Sequence, residues 1–589
     1  MGTGKNRIET GLTHLGGVIY FLSAFFFLFF FAEHIFYYQE KTFLFIFSPE
    51  ILSDGLSRPG GFLKLLSGFL TSFYYYPLAG SLICSCVMWL TMISSAGIIR
   101  KITGQNPGPA PYIIGIFLFY LQLNYRYPLV NNLGIFFQLA AFYLFLKKAN
   151  RWIPVIFAPA WYFLTGSFSV IFFVMYFMFL ALKHEKGWWI RIFFCLVVVS
   201  STIFLLKEYL LFFTLKDLLT FPWFDEGGGV GSIVFFATVI FVILTPLSKL
   251  IFIEKILKNR IPSVVSSVSG MVLFFASLVF TALMKNDPKT NQYFHVEKLF
   301  YERNYEGVID YCSKNPTGNQ LTVFLINISL SETGQLNDLL FHFPQKSDGS
   351  TLFLKWEMKV EALRRGGLFY YSIGMINEAR RWAYENMVMR GPDPEGIKQI
   401  IKSELITGNY KSADKYIGML KKTIFYRKDA LYYEELSGND SAINDEPELG
   451  QKRNEMLHAD FFVITDNPLI NLERILISGA ANRKAFDYRL ALLLLSKDNN
   501  SIYEAWKVMK LYGYKKIPVH VEEALKAYIA FIAPGSPVPG NLQISKETEE
   551  RFNRYFKTFQ DFGADRRIAE PVLRKQFGNT YWYYVFYRQ

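Results

Sequence analysis

Charged residues and cysteines are both scarce in this sequence of 589 residues. Charged residues make up 19% of it, against about 25% in a typical soluble protein. Hydrophobic residues reach 51%, which excludes a disordered chain, because disorder requires low hydrophobicity. The four cysteines are too few for a disulfide scaffold or a cysteine zinc site. The seven histidines are scattered and form no His-Glu-x-x-His motif, so the sequence predicts no metal site.

Long apolar runs occupy only the first half of the chain. A membrane-spanning helix needs about 20 mostly apolar residues. We therefore predict nine spans, centred on 16–32, 77–99, 111–123, 132–146, 152–164, 167–182, 188–206, 232–253 and 263–284. The pair 152–164 and 167–182 contains Pro154, Pro159 and Gly166, so it is either a hairpin or a broken helix. The prediction is a multi-pass membrane domain, residues 1–285, followed by a soluble domain, residues 286–589.

Lysine and arginine cluster in alternate loops between these runs. The clusters are Lys5 and Arg7; Arg100 and Lys101; Lys147, Lys148 and Arg151; Lys183, Lys186 and Arg191; and Lys255, Lys258 and Arg260. Positively charged loops stay in the cytoplasm. In a bacterial inner membrane this predicts a cytoplasmic N-terminus, with loops 33–76, 124–131 and 207–231 and the C-terminal domain in the periplasm. The cytoplasmic loops hold much of the net charge of +13, and no basic face with interleaved aromatics indicates nucleic-acid binding.

The second half of the chain has helical periodicity and an internal repeat. Gly374-Met-Ile-Asn-Glu-Ala379 is followed 34 residues later by Gly408-Asn-Tyr-Lys-Ser-Ala413, and Trp382 and Tyr416 keep the same offset. Glycine can end one helix, and a small alanine lets the next helix pack closely. The pattern resembles tetratricopeptide repeats, so the predicted fold is all-α throughout. Such an array either binds a peptide or protein on its concave face or is a plain helical array without a ligand.

The first outer loop contains most of the candidate site residues. Glu33 and His34 stand at the membrane boundary, Asp54 and Arg58 follow, and residues 62–73 have the apolar spacing of an interfacial helix. An ionisable residue costs roughly 2.5–3.5 kcal/mol at the centre of a membrane helix and less near its end. Each candidate has a structural alternative. Glu33 is otherwise a boundary cap or a hydrogen-bond partner, His34 an interfacial residue and Asp54 a solvated loop acid.

This arrangement resembles the C-type membrane glycosyltransferases, which use lipid-linked sugar donors. These enzymes have a cytoplasmic N-terminus, an acidic residue just past the first helix and a long first outer loop. One branch, the O-mannosyltransferases, has an outer tetratricopeptide domain. The resemblance implies that Glu33 is a general base for an acceptor hydroxyl, with His34 and Asp54 near the substrate. Arg58 and Arg126 would hold the phosphate of a polyprenyl-phosphate-linked sugar, although Arg126 could instead snorkel or pair with Glu33.

One departure from that family concerns metal use. The second outer loop, Asn124 to Asn132, lacks the additional acidic group of many members, which argues against a divalent metal. The third outer loop contains Asp225-Glu226-Gly227-Gly228-Gly229, which is a flexible hinge or a gate at a substrate entrance. The sequence is also similar to an uncharacterised inner-membrane family of Bacteroidota with the same two-part plan, which implies no function.

Three functions follow from these patterns. The leading one is transfer of a sugar or glycan from a polyprenyl-linked donor to an acceptor, such as an exported protein presented by the repeats, at the outer membrane face. The second is a membrane-anchored scaffold for envelope assembly or secretion, without catalysis. The third is a transporter or flippase. A catalyst requires Glu33 to face a polar outward site, whereas a scaffold requires only a filled helical bundle in the lipid bilayer.

Overall fold

The computed structural model describes residues 2–588 apart from 105–106, 108, 149, 184–185, 212, 224–229, 250–271, 273–274, 278, 282, 285–286, 357–359, 457–462, 464–466, 479–481, 538 and 540–541. The prediction of an all-α fold is confirmed, because the protein is 78% helical and its described residues contain no strand. The chain divides into two compact units. Unit 1 comprises residues 1–287 and 422–425, and unit 2 comprises residues 288–421 and 426–589.

Unit 1 contains long apolar helices joined by short connections and one long loop. Its described helices are α1 (Gly2–Phe31), α2 (Glu33–Thr42), α3 (Pro49–Leu56), α4 (Gly61–Ser72), α5 (Pro77–Thr103), α6 (Ala110–Gln122), α7 (Leu129–Phe145), α8 (Ile153–Ile156), α9 (Ala158–Thr165), α10 (Ser169–Lys183), α11 (Trp188–Leu205), α12 (Leu215–Thr220) and α13 (Val230–Ile243). Their core is rich in aromatic rings, and it also buries polar side chains such as those of Gln122, Asn132 and Gln138.

Only some of these helices are long enough to cross a membrane by length and composition. Three qualify among the described residues: Pro77–Thr103, Ala158–Lys183 and Trp188–Leu210. A fourth is added if Leu15–Phe31 and Glu33–Thr42, bent by 73°, are counted as one span. Ala110–Gln122, Leu129–Phe145 and Gly231–Ile243 are apolar but shorter. The protein thus has a few membrane-capable helices. The predicted span 263–284 and the cluster Lys255, Lys258 and Arg260 lie largely or wholly outside the described residues.

The segment 158–183 has the length and composition of one span, but it is not one straight helix, because it folds back on itself at Gly166. This glycine has φ +60° and ψ −138°, which ends α9, and a short 3₁₀ turn then leads into α10. The hydroxyl of Tyr176 donates to the carbonyl oxygen of Arg151, 25 positions away, at 2.8 Å. A straight helix would separate these residues by roughly 37 Å at its rise of 1.5 Å per residue. Of the two interpretations left open by the sequence, the hairpin is therefore the one observed.

Several loops of unit 1 contact one another at one end of its bundle. Gln39 in α2 donates to the carbonyl oxygens of Tyr125 and Tyr127, at 3.2 and 2.8 Å. The backbone N–H of Gly60 donates to the carbonyl oxygen of Phe163 at 2.8 Å, and the backbone N–H of Ser167 donates to the carbonyl oxygen of Phe221 at 2.9 Å. Loop 33–76, loop 124–131, the turn at Gly166 and loop 207–231 therefore meet. Helix α7 begins beside this end and terminates near three basic residues that lie over aromatic rings: Lys147, Arg151 and Lys183.

Unit 2 is an array of amphipathic helices. Those described are α14 (Pro288–Tyr301), α15 (Tyr305–Lys314), α16 (Gln320–Glu332), α17 (Leu336–Leu339), α18 (Val360–Ser372), α19 (Ile376–Arg390), α20 (Pro394–Ile406), α21 (Tyr410–Lys421), α22 (Arg427–Leu436), α23 (Asp440–Asp445), α24 (Pro447–Glu455), α25 (Pro468–Ile477), α26 (Arg483–Ser496), α27 (Asn499–Val508), α28 (Val519–Ala527), α29 (Lys546–Asp561), α30 (Arg566–Phe577) and α31 (Tyr581–Tyr587).

The two halves of the sequence repeat have the same local geometry. Gly374 and Gly408 have φ of +81° and +76°, so each ends its helix in a left-handed conformation that favours glycine. Ala379 and Ala413 are both completely buried. Both alanines are therefore buried, as expected if a small residue is needed there for close packing of the helices.

Candidate functional site

The predicted site residues lie in the loop region of unit 1. Glu33 is the first residue of α2, directly after the bend that separates this helix from α1, and its side chain is exposed. His34 beside it is half-buried, and Asp54 is exposed in α3. Arg126 is exposed, with its guanidinium carbon 5.3 Å from the ring centre of Tyr125. Through Gln39, helix α2 is held next to the loop that carries Arg126.

Arg58 belongs to a different group of contacts. Its guanidinium carbon lies 4.1 Å from the ring centre of Phe221, and its Nε atom is buried without a hydrogen-bond partner in the part of the chain that the structure describes. The ammonium group of Lys64 lies 5.4 Å from the centre of the same ring. Within the described ranges neither cation forms an ion pair. Two positive charges therefore lie near one aromatic ring, and no carboxylate among the described residues pairs with them.

Two glycines bring this group together. Gly60 has φ +80° and precedes α4, and a Cβ atom on it would lie 2.6 Å from the ring of Pro222. A Cβ atom on Gly166, where φ is +60°, would lie 2.5 Å from the carbonyl oxygen of Phe221. Such distances exclude any side chain, so the three backbone segments can approach only through glycine. The resulting contact holds the ring of Phe221 next to both Arg58 and Lys64.

The electrostatics of the Arg58–Lys64 pair favour an anion. The surrounding protein, together with the nearby charge of Arg58, lowers the pKa of Lys64. Like charges disfavour each other's charged forms, and an opposite charge removes this penalty. A phosphate or carboxylate could accept charge-assisted hydrogen bonds from both side chains. The indole N–H of Trp223, two residues after Phe221, is a further buried donor without a partner among the described atoms.

Sequence reasoning identified Arg58 but missed Lys64 and Phe221. The signal for Lys64 was present, because it is the single charged residue in α4. The apolar spacing of residues 62–73 places Lys64 opposite the apolar face of an interfacial helix, which does not by itself indicate a binding site. No sequence signal points to Phe221, which is far from Arg58 along the chain. Among the described residues no three His, Cys, Asp or Glu side chains are grouped so as to hold a metal ion.

Comparisons with known proteins identify a family for this chain but no activity. No curated protein and no solved structure is significantly similar to the chain. One family model, described as a family of unknown function and designated DUF6057, matches residues 9–588. The match covers nearly the whole of both units. The chain therefore belongs to the family of unknown function DUF6057.

Proposed function

We propose that this protein is a multi-pass membrane enzyme that transfers a sugar or glycan from a polyprenyl-phosphate-linked donor to an acceptor hydroxyl. The observation that carries the proposal is the pair of cations, Arg58 and Lys64, close to the ring of Phe221. A lipid phosphate would supply the negative charge that this pair lacks within the described residues. Exposed apolar side chains on either side of Arg58, those of Leu56 and Phe62, suit the adjoining prenyl chain.

In the proposed reaction the acceptor oxygen attacks the anomeric carbon of the donor. The bond from that carbon to the phosphate oxygen breaks, and its electron pair leaves with the polyprenyl phosphate. Arg58 and Lys64 stabilise the negative charge that develops on this phosphate. Glu33 accepts the proton of the acceptor hydroxyl. Its exposed position at the start of α2 leaves the carboxylate accessible to an acceptor. His34, Asp54 and Arg126 remain predicted substrate contacts.

We further propose nine membrane spans with a cytoplasmic N-terminus, in an inner membrane with a periplasmic unit 2. Two observations support this topology. The hairpin at Gly166 is the geometry expected if 152–164 and 167–182 are separate passes, and the loops predicted to be outside contact one another. Helices as short as α6, with 13 residues, cover only about 20 Å. Such helices span by local thinning of the bilayer.

A reporter that is active only outside the cytoplasm tests this topology. Fused after Lys289, it should be active. Fused after Lys148, which follows α7 beside the basic end of the bundle, it should be silent. The reverse pattern would place Arg58 and Lys64 in the cytoplasm and remove the basis for an outer-face reaction.

We propose that unit 2 consists of repeats of the tetratricopeptide kind, which would present the acceptor. Support comes from the left-handed glycines and buried alanines that recur 34 residues apart, at 374 and 408 and at 379 and 413. A polypeptide acceptor exported through the membrane suits a concave helical array.

The substitution Arg58→Gln tests the proposed donor site. A hydrogen bond to a charged group is worth about 1.5–3 kcal/mol, so the KM for a polyprenyl-phosphate sugar should rise roughly ten- to hundredfold. Initial rates of transfer by protein reconstituted in vesicles give KM and kcat. Lys216→Gln in α12, an exposed residue, is the matched control and should leave KM unchanged. Equal KM values for the two variants would contradict the donor site.

A further inference from the structure

Unit 2 contains a cavity that the proposed transfer reaction does not use. Its volume is about 100 Å³. Its walls come from the connection between α14 and α15, from α18, α19 and α20, and from Glu448 in α24. One water molecule needs only about 10–15 Å³, so the cavity is larger than a single water site. That space fits a small molecule rather than a folded segment.

Basic side chains outnumber acidic ones on the cavity walls. The basic residues are Arg303, Arg364, Lys398 and Lys402, and the acidic residues are Glu395 and Glu448. Glu448 accepts hydrogen bonds from Arg303, from Tyr371 at 2.9 Å and from Lys402 at 2.9 Å. Lys398 is also 2.7 Å from Asp429, which lies behind the wall. When all four basic residues are protonated, the lining itself carries a formal charge of +2, since four basic residues oppose two acidic ones.

Asn386 adds an unsatisfied acceptor to this lining. Its Nδ2 atom donates to a carboxylate oxygen of Asp393 at 2.7 Å, which fixes the orientation of the amide. Asn386 is only 3% exposed, and its Oδ1 atom is buried without a hydrogen-bond partner within the described residues. An unpaired buried acceptor costs free energy. A ligand that brings an O–H or N–H group to this oxygen would remove that cost.

Lys402 is the titrating group of the cavity. Burial and the neighbouring charge of Arg303 lower its pKa to about 7. Lys398 lowers the pKa further, whereas Glu395 and Glu446 act in the opposite direction. Glu448 accepts its hydrogen bond, and the ring of Tyr371 is 6.0 Å from its ammonium group. An anion bound beside Lys402 would favour the protonated amine.

We propose that this cavity binds a small, soluble anion that also carries hydroxyl or N–H groups, such as a phosphorylated or carboxylated polyol. The phosphate or carboxylate lies among Arg303, Lys398 and Lys402, and a hydroxyl donates to Asn386. The aromatic walls formed by Tyr371 and Trp382 contact the carbon skeleton. This site is independent of the proposed transfer reaction, because it needs neither Glu33 nor Arg58.

Three probe molecules separate recognition of the anion from recognition of the hydroxyl groups. Glycerol 3-phosphate carries both an anion and hydroxyls, inorganic phosphate carries only the anion, and glycerol carries only hydroxyls. Calorimetric titration of the full-length protein at pH 7.5 should give the lowest Kd for glycerol 3-phosphate, a higher Kd for phosphate and no binding of glycerol. Equal binding of glycerol and glycerol 3-phosphate, or binding of none of the three, would overturn the proposal.

The pH dependence identifies Lys402. Binding favours the charged amine, which is lost as pH rises above about 7. The Kd for glycerol 3-phosphate should therefore rise about five- to tenfold between pH 7.5 and pH 8.5, where the second ionisation of a phosphate monoester, near 6, is already complete. Lys402→Arg keeps the positive charge across this pH range, so its Kd for glycerol 3-phosphate should not change with pH. A flat profile in the unaltered protein would contradict the role of Lys402.

Lys402→Met removes the charge at similar side-chain length. It should raise the Kd at pH 7.5 at least tenfold and abolish the pH dependence, while the melting temperature stays near that of the unaltered protein. Lys411→Gln, an exposed change in α21, should alter neither property. If Lys402→Met unfolds the protein, Lys402→Arg still decides the question through its profile. Retained affinity in a folded Lys402→Met protein would refute the site.

Discussion

Glu33→Gln is expected to lower the rate of sugar transfer about 10²–10⁴-fold, the contribution that a general base typically makes. Glutamine keeps the shape and hydrogen-bonding capacity of the side chain but cannot accept the proton of the acceptor hydroxyl. The exposed position of Glu33 at the start of α2 should make the substitution harmless to folding. The initial rate of product formation by reconstituted protein, compared at equal protein level, measures the effect.

Glu50→Gln is the matched control for this experiment. Glu50 is an exposed carboxylate in α3, in the same loop 33–76, and accepts a hydrogen bond from Ser48. The transfer rate of this variant should stay close to that of the unaltered protein. A folded Glu33→Gln protein with undiminished function would exclude the enzyme and leave the membrane-anchored scaffold as the better account.

Arg365→Met is expected to destabilise unit 2 by about 3–5 kcal/mol, because it leaves a buried carboxylate without its partner. The side chains of Arg365 and Glu297 are 0% and 1% exposed, and their Nε and Oε1 atoms are 2.6 Å apart. Arg365 also donates to Glu361 at 2.6 Å. In native-state hydrogen exchange, the protection factors of the α14 and α18 amides should therefore fall about 10²–10³-fold or more.

A double substitution separates the buried charge from the packing. Replacing both Glu297 and Arg365 by methionine removes the unpaired charge, and such apolar replacements of buried pairs are often neutral. The double variant should therefore be more stable than Arg365→Met alone. If Arg365→Met costs less than about 1 kcal/mol, or if the double variant is the less stable of the two, the pair does not hold α14 against α18.

The helical character of the chain and the turns of its repeat could be predicted from the sequence because both depend on local patterns. Apolar runs and helical periodicity act over neighbouring residues. Gly374 and Gly408 are required by the conformation of their own turns. The fold of 152–182 could not be decided in this way. Prolines and a glycine are compatible with a hairpin or a broken helix, and the contact between Tyr176 and Arg151 distinguishes them.

The candidate sites depend on contacts between distant parts of the chain. Phe221 meets Arg58 and Lys64 only because Gly60 and Gly166 let three backbone segments approach. A single sequence without structural context does not reveal such an approach. The cavity of unit 2 is similar in this respect, since Arg303 and Glu448 are 145 positions apart. These two residues belong to no recognisable sequence motif, and their contact follows from the packing of the helical array.

Binding of a short-chain polyprenyl phosphate to the purified full-length protein, compared with binding of the corresponding polyprenol, tests the proposed donor site most directly. The phosphate should bind at least tenfold more tightly, because Arg58 and Lys64 form charge-assisted hydrogen bonds with it. This preference should disappear in the Arg58→Gln/Lys64→Gln double variant and persist in Lys216→Gln. Equal affinity for the phosphate and the alcohol, or a preference that survives the double substitution, would contradict a lipid-phosphate donor at this site.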